Sequence, residues 1–308
     1  MTDKLPLTML AQLNDVTVFQ TAAYHTAGFE HADIKHRTLQ DQKHQPMLQT
    51  KQASYGELNL GLHVADDSVQ VLDNRMRLLA TINQQLTIQR RAPISSVYWV
   101  NQVHGKQIYD VDASPLSMRP VDADAMVSKR DSLGLAIMTA DCVPIVLYQP
   151  ASGQIAAIHA GWQGLACGVI PTTIKRFKES GEIKAWIGVC ISQENYEVDS
   201  QVRDKLLAGC IENQSLSVQS ISSTERFDQL YAVDSDVHSS TNTDLYTDKI
   251  KLDLPKIAAD QISNAGVTLA NETSISCSYA DSGYYSYRRQ THLQQPATGR
   301  MALIIVRS

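Results

Sequence analysis

The apolar positions of this chain fall into short runs rather than into one long period, and most runs are too short for a helix. Residues 96–103 are rich in Val, Tyr and Trp and predict a strand. Further short apolar runs at 124–128, 154–159 and 185–191 predict buried strands. Residues 133–148 are almost continuously apolar, interrupted only by Thr139, Asp141 and Pro144, and residues 300–306 close the chain as another strand. Between these lie helical patterns. One is expected over 165–180, after the turn Gly161-Trp162-Gln163-Gly164. Another is expected over 253–264, with Gly266 just past its end, where a left-handed residue commonly stops a helix. Strands interleaved with helices predict an α/β (α+β) domain with a mixed central sheet flanked by helices.

Two segments break the pattern. Residues 30–56 are rich in His, Gln and Lys, and residues 213–249 in Ser, Thr, Asp and Gln. Both are expected to be polar surface loops within a single domain spanning 1–308, since strong strand and helix patterns lie on either side of each.

Composition narrows the class. The 308 residues are 43% hydrophobic and 19% charged, with a net charge of -5. No basic stripe runs along the chain, which argues against a protein that grips a nucleic-acid backbone. No apolar run reaches the roughly 18–20 residues of a membrane span, and no secretory leader is recognisable, so a cytoplasmic protein is expected. The five cysteines (Cys142, Cys167, Cys190, Cys210 and Cys277) are odd in number and widely spaced, and contain no CxxC. They read as thiols of a reducing compartment.

Polar residues set into apolar strands carry the chemistry, because burying an unpaired polar group is costly. Three places stand out: Asn101-Gln102-Val103-His104-Gly105, Thr139-Ala140-Asp141-Cys142-Val143-Pro144, and His159-Ala160-Gly161-Trp162. They bring two imidazoles and one thiol to strand ends or breaks. Such a set suits zinc, whose catalytic sites keep three protein ligands and one open position. On spacing alone the same residues also read as a buried small cysteine with two hydrogen-bonded histidines. His63 alternates with apolar residues and is a candidate to approach a site, whereas His31, His36 and His44 lie in the polar segment. Near the C-terminus, Tyr284-Tyr285-Ser286-Tyr287-Arg288-Arg289 and Thr298-Gly299-Arg300 combine rings that can stack on a base with guanidiniums that can hold phosphate. Read as an extended strand, this stretch would point Arg288 and Arg289 to opposite faces. Arg75, in Asp73-Asn74-Arg75, is a further candidate. No GxxxxGK[ST], GxGxxG or HxE…PCxxC motif is present.

These segments, taken in order, resemble the YfiH/laccase-domain family. The resemblance rests on Leu58-Asn59-Leu60-Gly61-Leu62-His63-Val64 through Asn74-Arg75, Gln102-Val103-His104-Gly105, Asp122-Ala123-Asp124-Ala125 and Thr139 to Pro144. It continues through His159 to Gly164, Ile187-Gly188 through Tyr196-Glu197-Val198, Tyr287-Arg288-Arg289 and Thr298-Gly299-Arg300. It implies an α/β domain with zinc held by His104, Cys142 and His159. It also implies a purine nucleoside phosphorylase acting on adenosine, inosine and methylthioadenosine, with adenosine deaminase activity. An older label, copper-dependent polyphenol oxidase, implies copper instead. Catalytic roles are expected for Asp141 and Cys142; Asp141 would orient a ligand or move a proton. Substrate contacts are expected from Arg75, Arg288, Arg289, Arg300 and His63. The partners would be purine nucleosides and phosphate, with neither nucleic acid nor membrane. Two departures from the family pattern are visible: Ala23 to Gly28 lacks an arginine, and Val189 follows Gly188 where proline is usual. The competing readings are a cysteine hydrolase using Cys142 with His159 or His104, a copper phenol oxidase, and a metal-stabilised interaction module.

Overall fold

A computed structural model of the chain describes residues 5–24, 52–114, 120–234 and 249–308. Its first half contains β1 (Leu7–Leu13), β2 (Val16–Thr21), α1 (Ser68–Ile88), β3 (Ser96–Tyr98), β4 (Ile108–Asp110), β5 (Ala125–Ser128), β6 (Leu133–Thr139) and β7 (Val143–Gln149). Then follow β8 (Gln154–Ala160), α2 (Trp162–Ala166), α3 (Val169–Ile174), β9 (Lys184–Ile187), β10 (Glu197–Asp199), α4 (Ser200–Glu212) and α5 (Thr224–Tyr231). The chain closes with β11 (Ala232–Asp234), β12 (Lys249–Leu252), α6 (Leu254–Asn264), β13 (Thr268–Leu269), α7 (Tyr287–His292) and β14 (Met301–Arg307).

The α/β class is as expected, but the strands divide among three sheets. One mixed sheet runs β1-β2-β14-β6-β3, a second mixed sheet β13-β9-β7-β8-β5-β4, and a small antiparallel one β10-β12-β11. Strand alternation explains the layering. In β6 and β14, Leu135, Ile137, Leu303 and Ile305 face Met126, Val146, Tyr148 and Ala157 of the second sheet. Their neighbours Ala136, Met138, Ala302 and Ile304 face outward onto Leu78, Ile82 and Leu86 of α1. On the far side, Val127, Ile145, Leu147 and Ile158 pack under α2 to α6. Strands apolar on both faces are therefore sandwiched strands, and the layer order is helix, sheet, sheet, helices. No helix among the described residues is long and apolar enough to cross a membrane.

Several elements differ from the sequence expectation. The apolar run 133–148 is two strands joined through Ala140, Asp141 and Cys142. The single helix expected over 165–180 is α2 and α3, parted at Gly168, whose φ of 76° is left-handed. Pro171 has no N–H to continue the ladder of α2, and the side chain of Asn213 caps Ala166 O at 3.0 Å. The polar stretch 213–249 contains α5 and β11. Ser223 caps α5 by accepting from Arg226 N at 3.1 Å, and Phe227 and Tyr231, one turn apart, drop into the core. Residues 235–248 lie outside the described residues, as do 30–51 of the other polar segment and, with them, His31, His36 and His44. The strand expected over 96–103 ends at Tyr98. The 284–289 stretch is not extended: Tyr287, Arg288 and Arg289 open α7, capped by Ser286 accepting from Arg289 N at 3.1 Å.

Candidate metal centre

β5, β7 and β8 are neighbours in one sheet, and their site-side ends lie together because β7 and β5 both run antiparallel to β8. The alternation that sends Met126, Val146 and Ala157 between the sheets, continued to these ends, sends Asp124, Cys142 and His159 to the edge of the same gap. His104 arrives from the loop after β3. Gln102 fixes that loop: its Nε2 donates to Met138 O at 2.7 Å and its Oε1 accepts from Met138 N at 2.8 Å. The ligand atoms of His104, Cys142 and His159 lie within 4.8 Å of one another.

Asp124 organises the cluster. It is completely buried. Its Oδ1 accepts from His104 N at 2.9 Å, its Oδ2 from Gly105 N at 2.6 Å, and His159 Nδ1 lies 2.9 Å from Oδ1. Nδ1 thus carries the shared proton and Nε2 is turned to the cluster, the usual arrangement behind a metal-bound imidazole. Burial alone would raise the Asp124 carboxyl; the His159 and backbone N–H contacts outweigh it and hold it below the usual carboxylate value. Cys142 is similarly overridden. Burial raises its thiol, but the His159 charge and contacts from both rings pull it down to about 6. His159 is lowered by burial and raised more strongly by the Cys142 thiolate and Asp124, to about 9.

Two non-glycine residues here adopt left-handed backbone, His104 at φ 59° and Asp141 at φ 104°. Such conformations persist where surrounding contacts dictate them. For Asp141 these are Ser278 Oγ donating to Oδ1 at 2.7 Å, Arg288 N donating to Oδ2 at 2.7 Å, and Ile191 N donating to its carbonyl at 3.0 Å. Both carboxylate oxygens are engaged, so Asp141 is fixed in place beside Cys142. Gly161 leaves room for the sulfur: a Cβ there would lie 2.9 Å from Cys142 Sγ. A thiolate and two imidazoles around a space that any side chain at 161 would invade fit one soft or borderline metal ion. Among the described residues this is the one such cluster, a set for a single ion.

The expected substrate residues separate. The Arg300 guanidinium lies near the charges of Cys142 and Asp141, and burial lowers its affinity for its proton. Its Nη1 is used by Thr298 O and Gly299 O, at 3.0 and 3.1 Å. Burial likewise lowers Arg75, to about 10; its Nε and Nη2 bind Leu60 O and its guanidinium stacks on Trp99, 4.2 Å from the ring centroid. His63 lies at the same mouth, its ring partly shielded from water. Lost hydration, then Arg300, Arg75 and the two site histidines, push it down to about 4, so it is neutral at pH 7. Arg288 donates to Glu197 O at 2.5 Å and sits 5.3 Å from the Tyr196 ring centroid. Arg289 turns away and ties down the carbonyls of Ser278, Tyr279, Asp281 and Tyr284. The sequence reading assigned no role to Asp124; its signal was a carboxylate directly ahead of the apolar run 125–127. Gly161 and Tyr196 stood within segments already picked out but were given no role, and Ser278 carried no signal.

Fold and site together define a stacked-sheet α/β protein with a His-Cys-His cluster at the sheet edge that could hold a metal ion. The chain belongs to the family described as multi-copper polyphenol oxidoreductase laccase, whose pattern matches residues 47–308. It is 31% identical over 253 residues to the purine nucleoside phosphorylase YfiH of Escherichia coli, covering 82% of this chain and 86% of that protein. It is 30% identical over 256 residues to a purine nucleoside phosphorylase of Pseudomonas aeruginosa, covering 82% and 87%. Among solved structures, a DUF152-family protein of Neisseria meningitidis shares the fold with a TM-score of 0.67 at 24% identity, over 98% of this chain and 99% of that one. The YfiH protein of Bacillus licheniformis does so with a TM-score of 0.65 at 22% identity, over 100% and 98%.

Proposed function

We propose that this protein is a cytoplasmic zinc enzyme that phosphorolyses purine nucleosides (adenosine, inosine and methylthioadenosine) and also deaminates adenosine. The observation that carries the reading is the convergence of His104, Cys142 and His159 beneath the Arg300 guanidinium, in a chain whose curated relatives are named purine nucleoside phosphorylases. Neither nucleic acid nor a membrane is among its partners.

His104, Cys142 and His159 would hold the zinc, which when bound supplies Lewis acidity and makes hydroxide available near neutral pH. Asp124 holds His159 by Nδ1 and the 104–105 loop by two N–H groups, so the ligands are oriented before any ion arrives. Asp141 fixes the backbone next to Cys142. Arg300 retains Nε and Nη2 for a phosphate, since no hydrogen bond to a described residue uses them. Arg75 and Arg288 support the same mouth, and Arg289 secures the segment that carries α7. His63 offers a neutral imidazole able to share a proton with the substrate. In phosphorolysis a phosphate oxygen bonds to the ribose anomeric carbon as the C–N bond to the purine breaks. The base leaves with a proton, giving ribose 1-phosphate. In deamination water replaces the exocyclic amine, giving inosine and ammonia.

Elemental analysis of purified protein, with product chromatography of adenosine with and without phosphate, tests this. Close to one zinc per chain, adenine with phosphate, and slow inosine without it are expected. Zinc-replete protein yielding neither product rejects the reading. One observation favours the cysteine hydrolase: Asp124, His159 and Cys142 are arranged as an acid–base–nucleophile chain. It predicts metal-free protein alkylated rapidly by iodoacetamide at Cys142, whereas a zinc-bound thiolate is shielded until a chelator is added. Copper would instead appear in the elemental analysis.

A further inference from the structure

We infer that Tyr287 is the platform on which the purine base stacks, an inference that rests on the phosphorylase reading. Trp99, Tyr196, Tyr285 and Tyr287 lie beside Arg75, Arg288 or the Gly299-Arg300 segment, and three of the four are already committed. Trp99 carries the Arg75 guanidinium at 4.2 Å and Tyr196 the Arg288 guanidinium at 5.3 Å. Tyr285 is 1% exposed, with its hydroxyl bound to Tyr55 O. Tyr287 is 57% exposed, carries no cation among the described residues, and its hydroxyl makes no hydrogen bond with them.

Its placement follows from α7. Tyr287 is the first residue of that helix, and the next residue's N–H donates to Asp141 Oδ2 at 2.7 Å, one residue from Cys142. Helical side chains lean toward the N-terminus of their helix, which here is the end that abuts Asp141. The ring is thereby directed toward the mouth, where Tyr287 and the Arg300 guanidinium are neighbours. A guanidinium for phosphate, a metal centre and an unoccupied ring face are three elements for the three parts of a nucleoside phosphorolysis complex. Stacking does not read exocyclic groups, so this contact accepts adenine and hypoxanthine alike.

The products separate the contacts without turnover, because hypoxanthine alone cannot react. Zinc-loaded wild type, Tyr287→Phe and Tyr287→Leu are titrated calorimetrically with hypoxanthine and, separately, with ribose 1-phosphate. Tyr287→Leu should weaken hypoxanthine about tenfold, Tyr287→Phe by less than about twofold, and ribose 1-phosphate should bind all three alike. Unchanged ribose 1-phosphate binding and zinc content also show that the variants are folded. Hypoxanthine binding equally well to Tyr287→Leu overturns the stacking role alone, as does equal loss of both ligands. If wild type binds neither product, the phosphorylase reading falls and this inference with it.

Discussion

The two ends of β5 and β8 are built from the same pair of strands and have opposite characters. At one end Asp124 and His159 are buried, doubly hydrogen-bonded and part of a cluster held by left-handed backbone at His104 and Asp141. At the other, Val127, Ser128 and Gln154 line a cavity of about 440 Å3 with Asp110, Asp112, Lys129 and Arg176. Its charges are paired in the open: Arg176 with Asp110 at 2.8 Å and Lys129 with Glu179 at 2.6 Å. Exposed pairs of this kind contribute about 0–1 kcal/mol. An open cavity therefore marks one end and constrained, desolvated chemistry the other. The second criterion agrees with the donor set, since reactive groups need fixed geometry and shifted protonation rather than volume.

The sharpest way to break that contrast is to remove the sulfur. Cys142→Ala should reduce zinc from near one per chain to background and abolish both activities, read by elemental analysis and product chromatography. Full zinc in this variant would remove the thiolate from the ligand set. Next in size are matched carboxylates. Asp124→Asn should weaken zinc about 10–100-fold, because one face of the His159 ring and the 104–105 loop lose their anchor. Asp112, at the far end, accepts from Ser128 Oγ and Lys129 N, both at 2.6 Å. Asp112→Asn should leave zinc affinity unchanged. Equal chelator resistance of the two variants would erase the distinction between the ends.

The sequence showed the strands of this contrast better than their arrangement. Runs such as β6, β7, β8 and β14 are apolar on both faces because both faces are covered, and that is visible residue by residue. Asp253 and Gly266 likewise bracket α6 by local chemistry. What brings β14 beside β2 and β6 is pairing across nearly the whole chain in one case and about half of it in the other, which no local pattern encodes. The metal cluster shows the same division. The spacing of His104, Cys142 and His159 matched no short motif; their setting in apolar runs made them candidates, family resemblance favoured them as a metal set, and the adjacency of β5, β7 and β8 is what assembles them. Asp124 was hidden because a lone carboxylate before a strand carries no mark of the three partners it will meet. The helix at α7 was hidden because its cap, Ser286, and its tether, Asp141, are far apart in sequence.

A smaller effect sharpens the chemistry within the site end. Arg300→Ala should raise the phosphate KM about ten- to a hundredfold, the value of a charge-assisted contact. It should change adenosine deamination much less, since that reaction uses water. Arg176→Ala, at the cavity end, should change neither. A phosphate KM unmoved in Arg300→Ala would place the phosphate on Arg75 or Arg288 instead.

The smallest effect belongs to the far end, and it is one of stability. Asp15 closes that end by accepting from Tyr148 OH at 2.5 Å and Arg307 Nε at 2.6 Å. Burial acts to raise its carboxyl, but these two contacts and the Arg307 charge hold it below its ordinary value. A carboxyl depressed in the folded state stabilises the fold at pH above its unfolded value, about 4, and loses that contribution as pH falls through the folded value. At neutral pH the contribution is fully present, so Asp15→Asn should lower the Tm by about 2–4 °C. Below pH ~4 the wild type should fall toward the variant, so the two melting curves converge with acid. A gap that stays constant with pH would mean that the amide fails through packing and not through lost charge. Zinc content and KM values should not change, because the Asp15 contacts and the metal cluster lie at opposite ends of the same sheets. Loss of zinc in Asp15→Asn would show that the two ends are mechanically coupled and that the site depends on the whole sandwich rather than on its own edge.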